Sequence, residues 1–325
     1  MTGKTAVLRW AEARERVLFQ EGKPRRQRKE VIEITTVPTL KEFAPRFLGG
    51  YAKANRQKPS GVAGKESILR VHLIPRFGYK RLDQITTEDV QRLKGDLAVK
   101  AAKTVNNVLT VLNVLLKTAV AWGVIPHMPC VIGLVRTAVP TAKFLDFEAY
   151  ERLLHTAQED GQLAHLIVLL GGDAGLRCGE IMALEWPDVD LVNRQLTVTR
   201  SEWKGHVTMP KGGKLRHVPL TARLTQTLRQ TRHVRGARVL LDAKRRSLTQ
   251  KVVQGIVARA ARRAEVDSGV HTLRHTFCSH LAMRGAPARA IQELAGHEDL
   301  ATTQRYMHLS PAGRARGGDR LAGAG

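Results

Sequence analysis

The side chains best suited to chemistry lie near the end of the chain. His271 and Arg274 are three residues apart, and Tyr306 follows His297 by nine residues. Histidine exchanges protons near neutral pH, arginine offers paired donors that keep their charge, and tyrosine offers a nucleophilic oxygen. Together these residue types suit attack on a phosphodiester, whose own negative charge must be neutralised before a nucleophile can reach the phosphorus.

Three short helices are predicted to position these residues. The first has an apolar stripe with a repeat of four, which leaves His271 and Arg274 on another face. The second is predicted to begin at Pro287 and to end at Gly296, so His297 lies just past its end. A last short helix, capped by an Asp or Thr side chain, then carries the tyrosine. The stripe residues of the first helix are Leu273, Phe277 and Leu281.

The order HxxR, then GH, then a tyrosine nine residues after that histidine is a specific pattern. It resembles the C-terminal signature of the tyrosine recombinases, the phage-integrase family. Taken singly, such residues would be interpreted as packing or surface groups. The resemblance covers about residues 39–309. It implies that Tyr306 is the nucleophile, that Arg274 and His297 bind the phosphate, and that His271 accepts the phenol proton. Three further histidines are assigned to packing or supporting positions: His275, His280 and His308.

A second motif lies upstream, in the string LRCGEIMALEW. Arg177 and Glu180 are three residues apart on the polar side of a predicted helix. An ordinary helical ion pair would explain this spacing on its own. The resemblance implies instead that Arg177 is a catalytic arginine and that Glu180 is an acidic neighbour that steadies the site. Asp173, in the preceding loop, has no predicted role.

Between these motifs the hydrophobic pattern changes from helical to alternating. It predicts three strands, at about 196–203, 206–209 and 215–220, with a Gly-Gly turn in KGGK before the last. The resemblance implies a catalytic lysine on such a hairpin, placed at Lys211 with Lys214 as the alternative, and such a lysine can protonate the leaving 5′ oxygen. The other interpretation is a surface hairpin with solubilising lysines.

The chain as a whole is strongly basic. Its 325 residues include 53 Lys and Arg against 29 Asp and Glu, which gives a formal net charge of +24 and a pI of about 10.7. Such an excess attracts a polyanion, and nucleic acid is the first candidate. We expect no membrane partner, because no run approaches the roughly 18 apolar residues of a spanning helix, and no signal pattern is present. Three distant cysteines predict neither disulfides nor a metal site, which favours a reducing, cytoplasmic location.

The predicted fold is mainly α with a small antiparallel β-sheet (α+β), divided into two lobes. Residues 39–128 are predicted to form a helical bundle that resembles the family's core-DNA-binding domain, and residues 142–310 resemble its catalytic domain. The resemblance implies that the two lobes close around DNA as a C-shaped clamp. The remaining parts are an N-terminal segment that is flexible or contacts DNA (1–38), a linker (129–141) and a C-terminal tail (311–325).

Four amphipathic helices are predicted in the bundle, at about 40–51, 65–74, 86–100 and 104–122. A Gly, Pro and Ser-rich turn is expected at 58–64, and Pro75 is expected to stop the second helix. The candidate DNA contacts are basic residues, each of which alone would pass as a surface charge: Lys53, Arg56, Lys58, Lys65, Arg70, Lys100 and Lys103, with Lys214 in the second lobe.

The sequence therefore predicts a site-specific recombinase or integrase that cuts and rejoins double-stranded DNA through a 3′-phosphotyrosine intermediate, without metal, other cofactor or ATP. The resemblance implies a homotetramer on DNA during synapsis and a monomer or weak oligomer when free, and it leaves room for accessory DNA-bending proteins. Two alternatives are open. A type IB topoisomerase would relax supercoiled DNA without a partner site, and a non-catalytic regulator would bind DNA without ever forming a covalent adduct.

Overall fold

The computed structural model describes residues 3–21, 36–52, 54–137, 142–210, 212–234 and 236–312. Their apolar side chains form separate cores. One core is built from residues 37–135, and the other comprises two clusters built from residues 142–309. Helices dominate both parts, and the strands are antiparallel. The predicted fold class, mainly α with a small antiparallel sheet, is confirmed.

The first core is formed by five helices of the described residues, two of which continue into π-helical turns. They are α2 (Leu40–Arg46, continued by Phe47–Ala52), α3 (Pro59–Ile68, continued by Leu69–Leu73), α4 (Ile74–Phe77), α5 (Thr87–Asp96) and α6 (Ala102–Ala121). Side-chain caps fix where two of them begin. Thr39 and Glu42 bond reciprocally at the start of α2, and Thr86 and Asp89 do so at the start of α5. The helix start predicted near Thr86 is confirmed.

Two predictions for this part of the chain were wrong. The stretch 58–64 is largely helical rather than a turn, because α3 begins at Pro59. Proline is tolerated at the first helical position, where the missing N–H would have no partner. Pro75 does not stop the second helix either, since the π-helical turn runs directly into α4, where Pro75 again occupies the first turn.

Helix α6 lies in the middle of the first core. By length and composition it is the one helix among the described residues that could cross a membrane, although the sequence suggested no such run. Half of the apolar stretch of α6 on which this judgement rests is buried inside the protein. Val105, Leu109, Leu112 and Leu116 provide the buried face. A core helix passes the same test, so this finding is weak evidence for a membrane span.

Helix α1 (Gly3–Glu21) precedes the first core. Val7, Leu8, Trp10 and Val17 are all exposed on it. These apolar side chains are therefore not part of either core.

The second part of the chain combines helices with short strands. Its helices are α7 (Phe147–Glu159), α8 (Gln162–Gly172), α9 (Cys178–Ala183), α10 (Ala222–Thr231), α11 (Gln250–Arg263), α12 (Val270–Met283), α13 (Ala288–Ala295) and α14 (Leu300–Gln304). Its strands are β1 (Val189–Asp190), β2 (Gln195–Val198), β3 (Ser201–Trp203), β4 (His206–Thr208) and β5 (Arg216–Pro219).

The strands form two sheets rather than one continuous meander. β2 pairs with β1 and β5 in a sheet of order β1-β2-β5, with Leu196 opposite Val218, while β3 and β4 form a separate hairpin. The strand predicted at 196–203 is therefore interrupted. The interruption has a physical cause, because Thr199 and Arg200 turn their side chains to the buried carboxylate of Asp188.

Helix α8 organises the second core, since both α7 and α12 pack against it. The approach of α12 is close, because a Cβ added at Gly171 would lie 2.8 Å from Leu273. This packing fixes the position of α12, which carries His271, Arg274 and His275.

Candidate active site

Three arginines from different elements converge on the carboxyl end of α13. The carbonyls of three consecutive residues each accept one donor: Leu294 from Arg216 Nε (3.0 Å), Ala295 from Arg274 Nη2, and Gly296 from Arg177 Nη2 (2.9 Å). The last carbonyls of a helix have no partner within it, and the negative end of the helix dipole favours cations. These bonds tie β5, α12 and the start of α9 to one helix end.

Gly296 makes this helix end possible. Its φ of +64° is left-handed, which ends α13 and turns the chain toward His297. A Cβ at this position would also lie 2.9 Å from Cδ of Arg216. Both the backbone conformation and the close approach therefore require glycine here.

Glu180 is buried between two of the arginines. It accepts a hydrogen bond from Arg177 Nη1 (2.8 Å) and two from Arg216, through Nη1 (3.1 Å) and Nη2 (2.6 Å). Burial alone would raise the pKa of Glu180, but the hydrogen bonds and charge of Arg216, together with the charge of Arg177, lower that pKa to about 2. The carboxylate is therefore ionised throughout the neutral range and holds both guanidinium groups in place.

Arg274 is almost fully buried on α12, with 5% of its surface exposed. Besides Ala295, its guanidinium donates to the carbonyl of Gly175 at 2.5 Å. Burial, followed by repulsion from Arg177, lowers the pKa of Arg274 to about 10. The side chain remains charged at neutral pH, so the site holds a cation that water hardly reaches.

His297 lies directly after Gly296 and is fixed by a buried threonine. Its Nδ1 lies 2.9 Å from Oγ1 of Thr303, and its ring stacks against Tyr306 with centroids 6.2 Å apart. Burial and the charges of Arg274 and Arg177 lower the pKa of His297 to about 3. A neutral imidazole that accepts at Nδ1 carries its proton on Nε2 and can donate it to a phosphate oxygen.

Tyr306 is buried, with 3% of its surface exposed. Its hydroxyl lies 2.6 Å from Nδ1 of His275. Burial raises the pKa of Tyr306 above its usual value near 10, and the adjacent Cys278 thiol adds to this, while the charge of Arg274 opposes it. The phenol is therefore protonated at neutral pH.

His271 occupies the first turn of α12, and its side chain is partly exposed. Burial of part of the ring and the charges of Arg274 and Arg177 lower its pKa. Among the hydrogen bonds of the described residues, however, the Tyr306 hydroxyl pairs with His275 and not with His271. From the sequence, His275 was predicted to occupy a packing or supporting position rather than a catalytic one. His275 could have been identified from its spacing, because it lies four residues after His271 and both side chains therefore share one helical face.

The structure brings six predicted residues to this one site: Arg177, Glu180, His271, Arg274, His297 and Tyr306. Lys211 lies outside the described residues. Lys214 is exposed and lines a cavity of about 630 Å³ that His297 and Arg216 also line.

Arg216 is a residue of the site that the sequence analysis missed. The alternation of buried and exposed residues along β5 could have identified Arg216, because Arg216 and Val218 share the buried face of the strand. A charged side chain on a buried face needs a partner of opposite charge. Glu180 is that partner.

Asp173 also has a role that its loop position did not reveal. Its carboxylate accepts from the Tyr150 hydroxyl (2.8 Å), from Thr221 (2.6 Å) and from two donors of Arg223 (2.7 and 2.8 Å). Burial opposes ionisation of Asp173, but the Arg223 and Thr221 hydrogen bonds outweigh it and lower the pKa. This buried network joins α7 and α10 to the loop that leads to Arg177.

The candidate DNA contacts differ in their surroundings. Lys65 donates to Gln57 at 2.6 Å, and Lys58 donates to the carbonyl of Met209 at 2.8 Å, across to the second part of the chain. Lys53 lies outside the described residues. The others have exposed side chains: Arg56, Arg70, Lys100, Lys103 and Lys214. Within the described ranges, no group of three or more His, Cys, Asp or Glu side chains could hold a metal ion.

Comparison with family models gives two matches. The model described as Phage integrase family matches residues 143–312, and the model described as Phage integrase, N-terminal SAM-like domain, matches residues 39–97. The first match contains every residue of the site described above.

Individual proteins agree with these matches. Tyrosine recombinase XerC of Alcanivorax borkumensis is 28% identical over 280 residues, covering 81% of this chain and 88% of that protein. Among solved structures, the Tn1549 transposon integrase in complex with transposon right end DNA has a TM-score of 0.71 at 21% identity, covering 87% of this chain and 99% of that one. A lambda integrase tetramer bound to a Holliday junction has a TM-score of 0.67 at 18% identity, covering 83% and 78%. At these identities the two structures show likeness of fold alone.

Proposed function

This chain belongs to the phage integrase family, the tyrosine recombinases, and on that premise we propose that Tyr306 cuts a DNA strand by bonding covalently to its 3′ phosphate. The chain is thus a site-specific DNA recombinase, as the sequence predicts. One observation carries the assignment of roles. Tyr306 lies against His275 and His297, beside arginines that bind one helix end.

Arg177 and Arg274 are proposed to neutralise the phosphate that Tyr306 attacks. A guanidinium has five N–H donors, and the hydrogen bonds of the described residues use two on Arg177 and two on Arg274. The remaining donors are available to the non-bridging oxygens. Glu180 and the Gly296 carbonyl already hold Arg177, and the carbonyls of Gly175 and Ala295 hold Arg274. Both guanidinium groups therefore need little rearrangement as charge builds on phosphorus.

His297 and a lysine complete the proposed reaction. His297, oriented by Thr303, donates to a non-bridging oxygen. Lys211, with Lys214 as the alternative, protonates the leaving 5′ oxygen. A phenol with a pKa near 10 is ionised to only about one part in a thousand at neutral pH, and burial reduces that fraction further for Tyr306. The tyrosine therefore needs a proton acceptor as well as a cationic pocket.

The covalent intermediate conserves the energy of the broken bond. A phosphotyrosine ester exchanges one phosphoester for another, so a free 5′ hydroxyl on another strand can attack it and regenerate the phenol. Strand exchange by this route needs no ATP.

Recombination joins two duplexes by four strand cuts, so we infer that four copies assemble on DNA. The lambda integrase tetramer bound to a Holliday junction has the same fold and supports this inference. The free protein is proposed to be a monomer or weak oligomer that acts in the cytoplasm, with accessory DNA-bending proteins as additional partners. The exposed basic residues named above are proposed to contact phosphates. Such contacts position the protein on the duplex but do not recognise its base sequence.

A trapping experiment tests the proposal. In a duplex that carries the DNA flanking this gene and is nicked just 3′ of the cleavage point, cleavage releases a short fragment with the free 5′ hydroxyl. Because this fragment diffuses away and rejoining is prevented, the covalent adduct accumulates and is seen by denaturing electrophoresis. Tyr306→Phe should abolish the adduct and leave DNA binding intact. Arg177→Ala and Arg274→Ala should each slow its formation by about a hundredfold or more. An adduct that forms normally in Tyr306→Phe would contradict the assignment.

A further inference from the structure

The nucleophile already has a hydrogen-bond partner with the chemistry of a base. The Tyr306 hydroxyl lies 2.6 Å from Nδ1 of His275, a distance typical of a strong hydrogen bond. The hydroxyl can donate to that nitrogen only when the ring carries its proton on Nε2. His275 is half-buried on α12, directly after Arg274, so the contact is made inside the phosphate-binding site.

We propose that His275 is a catalytic residue that accepts the Tyr306 phenol proton during strand cleavage. This inference rests on the proposed function and replaces His271 as the acceptor. His271 shares the helical face but has no hydrogen bond to Tyr306 among those of the described residues.

The proton and the bonds balance over one cycle. As the Tyr306 oxygen bonds to phosphorus, its proton moves to Nδ1 of His275, the bond from phosphorus to the 5′ oxygen breaks, and that oxygen takes a proton from the lysine. In the rejoining step the 5′ hydroxyl attacks phosphorus, the lysine recovers its proton, and imidazolium returns the proton to the departing phenol. His275 is therefore neutral before cleavage and neutral after rejoining.

The charged and titratable groups around His275 keep it neutral in the resting site. They are His271 and Arg274 on α12, His297 after α13, and Arg305 and Tyr306 after α14. Burial, followed by the charges of His271, Arg274 and Arg305, lowers the pKa of His275. A lowered histidine pKa leaves the ring nitrogen free to accept at neutral pH. Transfer from a phenol whose own pKa is raised must be concerted with bond formation to phosphorus.

The decisive variant is His275→Asn. The asparagine amide can hydrogen-bond to the tyrosine from nearly the same position as Nδ1, but it has no basic nitrogen. A residue that only positions Tyr306 would tolerate this change, whereas a base would not. His308→Asn is the matched control, because His308 lies on the turn after Tyr306 and is exposed.

The measurement is the single-turnover rate of adduct formation on the nicked duplex, for the full-length protein, as a function of pH. We expect His275→Asn and His275→Ala to be slower by about a hundredfold or more, with unchanged DNA affinity and with His308→Asn equal to wild type. The wild-type rate should fall as pH drops below the ordinary histidine range. Both His275 variants should lose this acid limb, and added imidazole should partly restore His275→Ala.

Several results would overturn the inference. A wild-type rate and pH profile in His275→Asn would make His275 a positioning residue. An acid limb that disappears in His271→Asn and persists in His275→Asn would assign the base to His271. Loss of DNA binding in both His275 variants would make the residue structural. Failure of the proposed function looks different, because Tyr306→Phe would then still form the adduct whatever the His275 variants do.

Discussion

Glu180→Gln removes a buried negative charge that lies between Arg177 and Arg216. The side chain of Glu180 is 1% exposed, and its carboxylate accepts three side-chain hydrogen bonds from these two arginines. Glutamine keeps the shape but offers a neutral oxygen and an amide nitrogen that faces arginine donors. The variant should therefore lose stability and loosen both guanidinium groups.

The lowered pKa of Glu180 gives the size of the expected loss of stability. A fall from 4.5 to about 2 corresponds to about 3 kcal/mol of stability at pH 7, where the carboxylate is ionised in both the folded and the unfolded chain. This value agrees with the usual cost of breaking a buried ion pair by removing one partner, which is about 3–5 kcal/mol. Because the folded pKa is depressed, this contribution is fully present above pH 4.5 and is lost as pH falls toward 2, so about 1.4 kcal/mol should remain at pH 3.

Urea unfolding at pH 7 and at pH 3 measures this difference. Glu293→Gln is the matched control, because the ion pair of Glu293 with Arg289 on α13 is exposed to solvent. We expect Glu180→Gln to be less stable than wild type by about 3 kcal/mol at pH 7 and by roughly half as much at pH 3, while Glu293→Gln changes little at either pH. A deficit that is equal at both pH values, or smaller than that of the control, would refute the reasoning.

Other outcomes follow from the same geometry. Gly296→Ala should lose about 1–2 kcal/mol in thermal unfolding, since alanine must adopt a positive φ and its Cβ meets Arg216, and should slow adduct formation. Gly255→Ala, in α11 with open space around it, is its control. Burial raises the pKa values of the three cysteines to about 11, so the folded protein should react with Ellman's reagent far more slowly than the urea-unfolded chain, and rapid reaction before unfolding would contradict their burial. DNA affinity should fall steeply with salt, by a log–log slope of about −0.9 for each phosphate contacted, and a flat response in a gel-shift titration would argue against phosphate binding by this basic chain.

The sequence by itself determined the order and types of the reactive residues. HxxR, GH and the following tyrosine are local patterns, and so are the caps at Thr39 and Thr86 that fix where helices begin. Local periodicity also predicted the helices that carry these residues, because the face of a helix depends only on spacing along the chain. The net charge pointed to nucleic acid before any fold was known.

Only the tertiary structure decided which partner each of these groups has. Arg177 reaches a carbonyl 119 residues away, Arg216 one 78 residues away, and the tyrosine hydroxyl a histidine 31 residues away. No local pattern specifies such pairs, because they depend on how helices and strands pack. The packing buries Glu180 between two arginines and places His275, rather than His271, against the phenol. Burial then sets the pKa values, since desolvation and neighbouring charges act only in the folded chain.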